Sequence, residues 1–472
     1  MGSEIRLTAE WVAAAMTGRI VGGDARVSFA GVSIDTRSLR AGQLYVGIRG
    51  DRFDGADFAG AAAGAGAAGL VVPQGRGAAL VRGGQAAPAT VIEVDDTTVA
   101  LQALSQAVRA ASGSKVVAIT GSAGKTTTKE VTAEFLGTKY RVIRNRGNLN
   151  NHIGLPLSLL ELTSRPDVAV VELGMNHAGE IRTLVRIAEP DVRVWTNVGE
   201  AHLGFFSSVD AIADAKAELL EGSVKSTVLV VNGDDDRITA RTRSFAGRKL
   251  TFGVELPADV QAFDVADRGI DGTSANVATP IGSFKLTTPL VGRGNLANIL
   301  ASTAVGVAFD VPLAAMAERA AQLKPASHRG DVVRLALGTV VIDDSYNANP
   351  TATQRALDVL RTSRVAGRRV AVLGEMLELG DQAIALHETV GRGAAAGSLD
   401  LLIAVGGLPA RALADAAIVA GLPKQNVHYF ETSDAAASGA ASWARPGDLV
   451  LVKGSRGVQT DKVVDRLKAE FA

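Results

Sequence analysis

The stretch that decides the fold runs Ser114-Lys-Val-Val-Ala-Ile-Thr120 and continues as Gly121-Ser-Ala-Gly-Lys-Thr-Thr-Thr128. Its first half is a short apolar run rich in β-branched residues, which predicts a buried strand of a parallel sheet. Its second half is a glycine-rich turn ending in Gly-Lys-Thr, and residues compatible with a helix follow as far as Leu136. Backbone N–H groups and the positive end of the helix dipole would then point at phosphate oxygens, so the stretch predicts a site for a nucleotide triphosphate.

The phosphate-loop pattern is incomplete at one position, because the full pattern has glycine where this chain has Ile119. The alternative is a glycine turn that only opens an ordinary helix. Gly-Lys-Thr directly after a buried strand is, however, the setting that confirms such a loop. In this interpretation Lys125 reaches the outer phosphates and the Thr126 hydroxyl is a ligand of magnesium.

Composition and charge exclude several classes of partner. The chain has 472 residues, which is too long for one hydrophobic core and suggests about three domains. Its formal net charge is zero, so nothing indicates a nucleic acid or a membrane surface as partner. It has no cysteine, which fits a reducing compartment. The N-terminus lacks the apolar segment of a signal peptide and no stretch is apolar enough to span a membrane, so we expect a soluble cytoplasmic protein.

Strand and helix patterns alternate along the chain and divide it into three α/β regions. They predict a small N-terminal α/β domain (residues 1–108), a central phosphate-loop domain with a parallel sheet (residues 109–322) and a C-terminal Rossmann-like domain (residues 323–472). In such sheets ligands gather at the carboxyl ends of the strands, so Glu172, His202 and the phosphate loop are expected to share one crevice. Two facing α/β domains predict a cleft that closes on substrates.

Several polar side chains of this region are ambiguous when each is taken alone. Glu172 at a strand end suits magnesium but is equally a solvated loop glutamate. His202 after a buried strand is more often structural, and Lys216 in a helix is usually solvated. Asn295 and Asn298 are usually read as parts of a helix cap.

Taken together, these residues occur in the order and settings of one enzyme family. The chain resembles the Mur ligases, the ATP-dependent amide-forming enzymes of peptidoglycan synthesis, essentially from end to end. The matching motifs are Gly121–Thr127, Asn148–Asn151, Ile153–Pro156, Glu172–Asn176, Thr196-Asn197, His202, Lys216–Glu218, Asn295, Asn298, Arg329, Asp343–Pro350 and Lys453–Arg456. Two of them, Asn148–Pro156 and Asp343–Pro350, are most similar to the branch of the family that adds D-alanyl-D-alanine.

The resemblance implies a three-domain α/β fold and a two-step ligation. A UDP-N-acetylmuramoyl-tripeptide would be phosphorylated by ATP at its terminal carboxylate, and D-alanyl-D-alanine would attack the acyl phosphate to give the pentapeptide. Cell-wall growth, cell shape and cell division would depend on this product. The family default is a monomer.

The resemblance also implies a role for each matching residue. The expected ATP-binding residues are Thr120, Gly121, Ser122, Ala123, Gly124, Lys125, Thr126, Thr127, Asn295, Asn298, Arg329 and Asp343. The expected catalytic residues are Lys125, Glu172, His202 and Lys216. Two magnesium ions would be held by Thr126, Glu172, His202 and Lys216, the last of these carbamylated so that a cation becomes an anion. The UDP-sugar peptide would be received by Asp35, Thr36, Arg37, Asn150 and Asn151.

Two positions depart from the usual family motifs. Gly294 stands where the family often has histidine, and Thr36 stands where the N-terminal loop more often has serine. Without the resemblance, Asp35-Thr36-Arg37 is either a capped turn with a solvated arginine or a site for phosphate or carboxylate.

Three alternative functions remain open from the sequence. One is a relative within or near the family, adding a single amino acid or acting as a folylpolyglutamate synthetase. Another is a phosphate-loop ATPase that forms no amide bond, and the third is a scaffold for other wall-synthesis proteins. The third residue of the tripeptide, lysine or diaminopimelate, is also open, and the loop Tyr346–Asn349 is a candidate contact of D-alanyl-D-alanine.

Overall fold

The computed structural model describes residues 4–84 and 88–471 and divides into two compact units. The first unit comprises the chain up to Ala118 together with Tyr140–Met175 and Gly179–Val192. The second unit comprises Ile119–Lys139, Asn176–Ala178 and the chain from Arg193 onward. Residues 1–3 of the N-terminus, where no signal peptide is expected, lie outside the described residues.

The described strands follow one another in chain order. They are β1 (Leu7–Thr8), β2 (Arg19–Gly22), β3 (Ser28–Phe29), β4 (Val32–Ser33), β5 (Leu44–Val46), β6 (Gly69–Pro73), β7 (Thr90–Val94), β8 (Lys115–Thr120), β9 (Val142–Arg144), β10 (Val168–Glu172), β11 (Val192–Trp195), β12 (Val228–Asn232), β13 (Arg248–Gly253), β14 (Val260–Asp267), β15 (Thr273–Thr279), β16 (Gly282–Thr288), β17 (Asp331–Arg334), β18 (Val340–Asp344), β19 (Arg369–Gly374), β20 (Leu401–Val405), β21 (Val427–Phe430) and β22 (Leu449–Lys453).

The described α-helices alternate with these strands. They are α1 (Ala9–Ala15), α2 (Ala59–Gly64), α3 (Arg76–Arg82), α4 (Thr97–Ser112), α5 (Lys125–Leu136), α6 (Gly154–Leu159), α7 (Glu180–Ala188), α8 (Val209–Ala217), α9 (Asp236–Arg241), α10 (Gly292–Ala308), α11 (Leu313–Ala320), α12 (Pro350–Thr362), α13 (Ala383–Ala396), α14 (Leu408–Val419), α15 (Ser433–Trp443) and α16 (Asp461–Glu470).

The first unit contains a sheet in the order β2-β7-β6-β5-β4. Strands β4 to β7 pair in parallel, and β2 is antiparallel to β7. Tyr45, Leu70 and Val91 are buried in a core with alanines of helix α2. The small N-terminal α/β domain predicted from the sequence is therefore confirmed.

Helix α4 follows this sheet in the chain. It begins at Asp96, whose side chain accepts hydrogen bonds from the N–H groups of Thr98 and Val99, an arrangement that satisfies two otherwise unpaired donors of the first turn. The predicted boundary at residue 108 falls within this helix. Strand β8 follows, and all of it except Lys115 is buried, as its apolar run predicts.

The second unit contains antiparallel strands beside parallel ones. Strands β12, β13 and β14 pair in parallel, whereas β14, β15 and β16 pair antiparallel. The apolar runs of the sequence predict only the parallel part. Burial alternates along β15, which is typical of an antiparallel strand with one face toward solvent, and this alternation is the signal for the additional strands.

The C-terminal part of the second unit forms its own sheet in the order β17-β18-β22-β19-β20-β21. All neighbours pair in parallel except β17, which is antiparallel to β18. Val341, Val372 and Val452 lie in a core that also contains Ala436 of α15 and Leu467 of α16. The predicted Rossmann-like parallel sheet is confirmed, with an antiparallel edge strand added. Among residues 4–84 and 88–471, no helix is both long and apolar enough to cross a membrane.

Candidate active site

The phosphate loop joins β8 to α5 through two glycines that a larger residue could not replace without strain. A Cβ atom at Gly121 would lie 1.9 Å from Oγ1 of Thr196. A Cβ atom at Gly124 would lie 2.2 Å from Oδ1 of Asn298, and Gly124 has a φ of +79°. Gly121 is thus required by close packing, and Gly124 by both packing and its left-handed backbone.

Two residues that follow strand β11 hold this loop. The carbonyl of Asn197 accepts a hydrogen bond from the N–H of Ser122 at 3.0 Å, and its Oδ1 accepts one from the N–H of Ala123 at 2.8 Å. Nδ2 of Asn197 and Oγ1 of Thr196 both donate to the carbonyl of Ala123. The loop therefore has a defined shape of its own, with two amides bonded to Asn197. The sequence signal for this role is the polar Thr196-Asn197 pair directly after a buried strand.

Two lysines converge on one carbonyl of the loop. Nζ of Lys125 lies 2.8 Å from the oxygen of Gly121, and Nζ of Lys216 lies 3.2 Å from the same atom. The side chain of Lys216 is only 1% exposed. Burial, and then the nearby charge of Lys125, hold the pKa of Lys216 well below its usual value. The solvated helix lysine that Lys216 suggests when taken alone is thus wrong, because α8 turns this side chain into the protein.

A cavity in the second unit opens beside the phosphate loop. Its lining includes Ser122, Ala123, Gly124, Thr127, Asn197, Asn295, Asn298, Arg329, Asp344, Tyr346, Asn349 and Lys453. The structure therefore brings Asn295, Asn298 and Arg329 to the phosphate loop. Thr120 is the last residue of β8, and Thr126 lies in the first turn of α5.

Asn298 and Asn295 of helix α10 support the loop from one side. Oδ1 of Asn298 accepts a hydrogen bond from Oγ1 of Thr128 at 3.2 Å, and its Nδ2 donates to Oδ1 of Asn295 at 3.3 Å. Nδ2 of Asn295 donates to the carbonyl of Val291. The two asparagines thus join the start of α10 to the start of α5. The contacts with adenine implied by the family resemblance stay a prediction.

Two adjacent aspartates at the end of β18 have different surroundings. Asp343 is buried, with Oδ2 2.8 Å from Nδ1 of His328 and Oδ1 accepting a hydrogen bond from Oγ of Ser345. Asp344 lines the cavity, and its Oδ2 lies 2.6 Å from Nζ of Lys453. Successive strand residues point to opposite faces. Asp344 therefore lines the cavity while Asp343 is held by His328 and Ser345, and the contact of Asp343 with ATP stays a prediction.

His202 lies in a short loop that contacts a second loop from the C-terminal sheet. Its Nδ1 is 2.6 Å from Oε2 of Glu378, and the N–H of Gly204 donates to the carbonyl of Glu378 at 2.7 Å. The hydrogen bond from His202 lowers the pKa of Glu378. In the described parts of the chain no hydrogen bond joins His202 to Lys216. Glu378 belongs to none of the family motifs in the sequence, and its local signal is the glycine that follows in Glu378-Leu-Gly380.

Glu172 lies at the buried end of β10 in the first unit. Nδ2 of Asn150 donates to Oε1 of Glu172 at 2.8 Å, and the N–H of Glu172 donates to Oδ1 of Asn145 at 3.0 Å. Oδ1 of Asn151 accepts a hydrogen bond from the N–H of Gly154, the first residue of α6. Asn150 therefore orients Glu172 and Asn151 supports the start of a helix. Their contacts with the UDP-sugar peptide stay predictions.

Asp35-Thr36-Arg37 forms an exposed turn in the first unit. Arg37 donates to both carboxylate oxygens of Asp35, from Nη2 at 2.6 Å and from Nε at 2.9 Å. These hydrogen bonds lower the pKa of Asp35 to about 2. The side chain of Arg37 is 88% exposed. The capped turn expected from the residues alone is present, and binding of the UDP-sugar there stays a prediction.

Among the four residues expected to hold magnesium, Thr126 and Glu172 fit that ion as they stand, and Lys216 fits it only when carbamylated. His202 offers a nitrogen rather than an oxygen. Thr126 and Glu172 offer a hydroxyl and a carboxylate, the oxygen ligands that magnesium prefers. The amine of Lys216 is not such a ligand, but a carbamate on the same nitrogen would supply oxygens. The low pKa of Lys216 favours the uncharged amine from which a carbamate forms.

Three segments of the chain match models of one family. Residues 28–109 match the Mur ligase family catalytic domain, residues 119–306 the Mur ligase middle domain, and residues 328–456 the Mur ligase glutamate ligase domain. The three consecutive matches accord with a three-domain α/β fold.

Individual proteins resemble the chain over nearly its whole length. The UDP-N-acetylmuramoyl-tripeptide–D-alanyl-D-alanine ligase of Bacillus subtilis is 35% identical over 441 residues, which is 93% of each protein. A crystal structure of MurF from Acinetobacter baumannii superposes with a TM-score of 0.88 at 30% identity, covering 99% of this chain and 100% of that one. A crystal structure of MurF from Thermotoga maritima in complex with ADP superposes with a TM-score of 0.80 at 29% identity. It covers 93% of this chain and 97% of that one. With three family domains matched in order and 35% identity to a curated relative over most of its length, the chain belongs to the Mur ligase family.

Proposed function

We propose that this chain joins D-alanyl-D-alanine to UDP-N-acetylmuramoyl-tripeptide at the expense of ATP. The observation that carries the proposal is the meeting of Lys125 and Lys216 at the carbonyl of Gly121. A plain phosphate-loop ATPase needs only the loop lysine. A second, buried lysine at the loop indicates chemistry at the transferred phosphate. The names of the B. subtilis relative and of the A. baumannii structure support the choice of substrates.

In the first step the tripeptide carboxylate attacks the γ-phosphorus of ATP. A P–O bond forms to the carboxylate, the bond to the β-phosphate oxygen breaks, and ADP leaves. Lys125 and the start of α5 would offset the negative charge on the transferred phosphoryl group. Magnesium, when bound, supplies further charge neutralisation between the phosphates.

Lys216 would act as a carbamate in this step. Its uncharged amine attacks carbon dioxide, an N–C bond forms, and a proton is lost to solvent. Burial helps because it lowers the pKa of Lys216 and so disfavours the competing protonated form. The resulting anion would offer magnesium the charged oxygens that the unmodified amine lacks.

In the second step the amine of the dipeptide attacks the acyl-phosphate carbon. A C–N bond forms, the C–O bond to phosphate breaks, and the amine loses a proton to solvent. A carboxylate is a poor electrophile, so phosphorylation supplies the leaving group that this step needs. The protein's own contribution is alignment of the reactants within the cavity beside Tyr346 and Lys453.

Several further parts of the proposal rest on the family resemblance. They are two magnesium ions and a monomeric state. The domain ranges of 1–108, 109–322 and 323–472 and the cytoplasm as the site of the reaction rest instead on the strand and helix pattern and on the composition of the sequence. Asp35, Thr36 and Arg37 are proposed to receive the UDP-sugar, with the exposed Arg37 guanidinium as the anion contact.

The decisive experiment is phosphate release from ATP with magnesium, UDP-muramoyl-tripeptide and D-alanyl-D-alanine, each omitted in turn. We expect release only when both acceptors are present, with a UDP-pentapeptide as product. Release with a single amino acid in place of the dipeptide would assign the chain to another branch. Release without either acceptor would leave only an ATPase.

The Lys216→Ala variant tests the site within the same assay. Removing a group that stabilises negative charge in the transition state typically lowers kcat by about 100-fold or more. We expect the kcat of Lys216→Ala to fall by that order. Lys225→Ala is the matched control, because Lys225 is an exposed lysine close in sequence. Full turnover by Lys216→Ala would refute the proposed role of this lysine.

A further inference from the structure

Two guanidinium groups share one aromatic ring at the edge of the nucleotide cavity. Cζ of Arg329 lies 4.1 Å from the centre of the Tyr346 ring, and Cζ of Arg456 lies 5.4 Å from it. Within residues 4–84 and 88–471, neither guanidinium forms a hydrogen bond or an ion pair. The ring therefore holds two arginines that are not neutralised by the protein.

The lack of a carboxylate partner among the described residues distinguishes Arg329 and Arg456 from Arg368, which directly precedes β19. Arg368 lies 2.7 Å from Oδ2 of the buried Asp448 and is neutralised by it. Arg329 and Arg456 instead stack on Tyr346, whose ring face attracts a cation without cancelling its charge. Two such cations on one ring attract an anion, and arginine binds a carboxylate with two parallel hydrogen bonds.

The two arginines face different surroundings. Arg329 and Tyr346 line the nucleotide cavity, whereas Arg456 is not among its lining residues and is exposed. Arg329 is therefore placed for the nucleotide. Arg456 lies outside this cavity and is available to a different anion.

The backbone that carries Arg456 is firmly held. Lys453, three residues earlier, donates from Nζ to Oδ2 of Asp344 at 2.6 Å and to the carbonyl of Asn347 at 3.0 Å. Oγ of Ser455 accepts a hydrogen bond from the N–H of Leu377 at 2.9 Å. The segment thus begins in the nucleotide cavity and ends at an exposed guanidinium, so one rigid turn links the two surroundings.

We propose that Arg456, stacked on Tyr346, binds the terminal carboxylate of the incoming dipeptide, an inference that rests on the proposed function. The dipeptide amine must reach an acyl phosphate beside the nucleotide cavity. Its carboxylate then lies roughly 7 Å away, at the far end of two extended residues. A cation just outside the cavity meets that requirement, and Arg456 is in that position.

Kinetics with a carboxylate and a carboxamide acceptor test this proposal. For Arg456→Ala we expect the KM for D-alanyl-D-alanine to rise about 10-fold or more, because a charge-assisted bidentate contact is lost. kcat and the KM for ATP should stay within about twofold. The wild type should use D-alanyl-D-alaninamide at least about 10-fold less well than the dipeptide, and Arg456→Ala should no longer distinguish the two acceptors. Arg456→Lys should lie between the two proteins.

Two controls separate this contact from general effects. Arg411→Ala removes another exposed arginine, on helix α14, and should leave every KM unchanged. Arg329→Ala should raise the KM for ATP rather than that for the dipeptide. Far-ultraviolet circular dichroism and melting temperature confirm that each variant is folded.

Two outcomes would overturn the proposal while leaving the proposed ligase intact. One is a higher KM for the UDP-muramoyl-tripeptide in Arg456→Ala with an unchanged KM for the dipeptide, which would assign the guanidinium to a carboxylate of the other substrate. The other is an equal loss of activity in Arg456→Ala with D-alanyl-D-alanine and with D-alanyl-D-alaninamide. Phosphate release by the wild type without any dipeptide would instead contradict the proposed function itself.

Discussion

Burial, and then the charge of Lys125, lower the pKa of the Lys216 amine well below its usual value. In the unfolded chain this lysine titrates near 10.5. Between the lowered native pKa and 10.5 the unfolded chain binds more protons than the native protein, so the free energy of unfolding rises with pH. The contribution of Lys216 to the free energy of unfolding is therefore fully present above pH 10.5. It is lost as the pH falls from there through the lowered native pKa.

This linkage predicts a pH-dependent difference between the wild type and Lys216→Met. We expect the wild type to gain stability relative to the variant as the pH rises toward 10.5, by at most about 1.4 kcal/mol per pH unit. Urea denaturation in carbon-dioxide-depleted buffer measures the difference, because carbamylation would otherwise mask it. A difference that is constant with pH would contradict the lowered pKa.

Gly124 is the second residue with a sharp local requirement. In Gly124→Ala the new methyl group would meet Oδ1 of Asn298 at 2.2 Å on a left-handed backbone. We expect nucleotide affinity, measured by calorimetry with ADP, to fall at least about 10-fold, because the loop must move away from the phosphates.

Gly113→Ala is the matched control for this variant. Gly113 also has a positive φ, but a Cβ atom there would meet nothing within 4 Å. It should cost about 1 kcal/mol of stability through backbone strain alone and leave nucleotide affinity unchanged. Equal nucleotide affinity in Gly124→Ala and the wild type would show that the loop tolerates the methyl group.

Two loops of the second unit meet through His202 and Glu378. The contact includes the 2.6 Å approach of the side chains, a backbone hydrogen bond from Gly204, and a close approach of Gly204 to Gly380. Because Nδ1 of His202 faces Glu378, the pair orients the ring and directs Nε2 elsewhere. Carboxylates that orient a histidine in this way are a recurrent support of metal ligands.

Glu378→Ala should therefore weaken the ligase without unfolding it. Loss of such a supporting carboxylate typically costs about 10- to 100-fold in activity or metal affinity. We expect the magnesium concentration for half-maximal activity to rise and the melting temperature to change little. Glu388→Ala is the control, since Glu388 is a half-exposed carboxylate of α13 paired with Arg392. An unchanged magnesium dependence in Glu378→Ala would refute this role.

The C-terminal sheet has a hydrophobic core of its own. Valines from β18, β19 and β22 pack with side chains of α15 and α16. A separate core is the physical requirement for independent folding. We expect a fragment of residues 323–472 to fold alone and to unfold cooperatively in urea. A fragment without cooperative unfolding would contradict the predicted domain boundary.

Much of this architecture follows from local patterns. Strand β8 forms within the predicted run Ser114–Thr120, and helix α5 ends at Leu136, as predicted. The antiparallel strands β15 and β16 were harder to foresee, because alternation over a few residues is a weaker signal than a continuous apolar run. Pairing in β14 to β16 also depends on turns and on neighbours that the sequence does not identify.

By itself the amino-acid sequence determined the strand, the glycine turn and the helix of the phosphate loop, since these depend on residues adjacent in the chain. It also determined the family, because the motifs recur in the same order. Only the tertiary structure decided the burial of Lys216, the different surroundings of Asp343 and Asp344, and the pairing of His202 with Glu378. The physical reason is sequence distance: Lys216 reaches a carbonyl 95 residues away and His202 a carboxylate 176 residues away. Burial and charge at these groups are therefore properties of the folded chain.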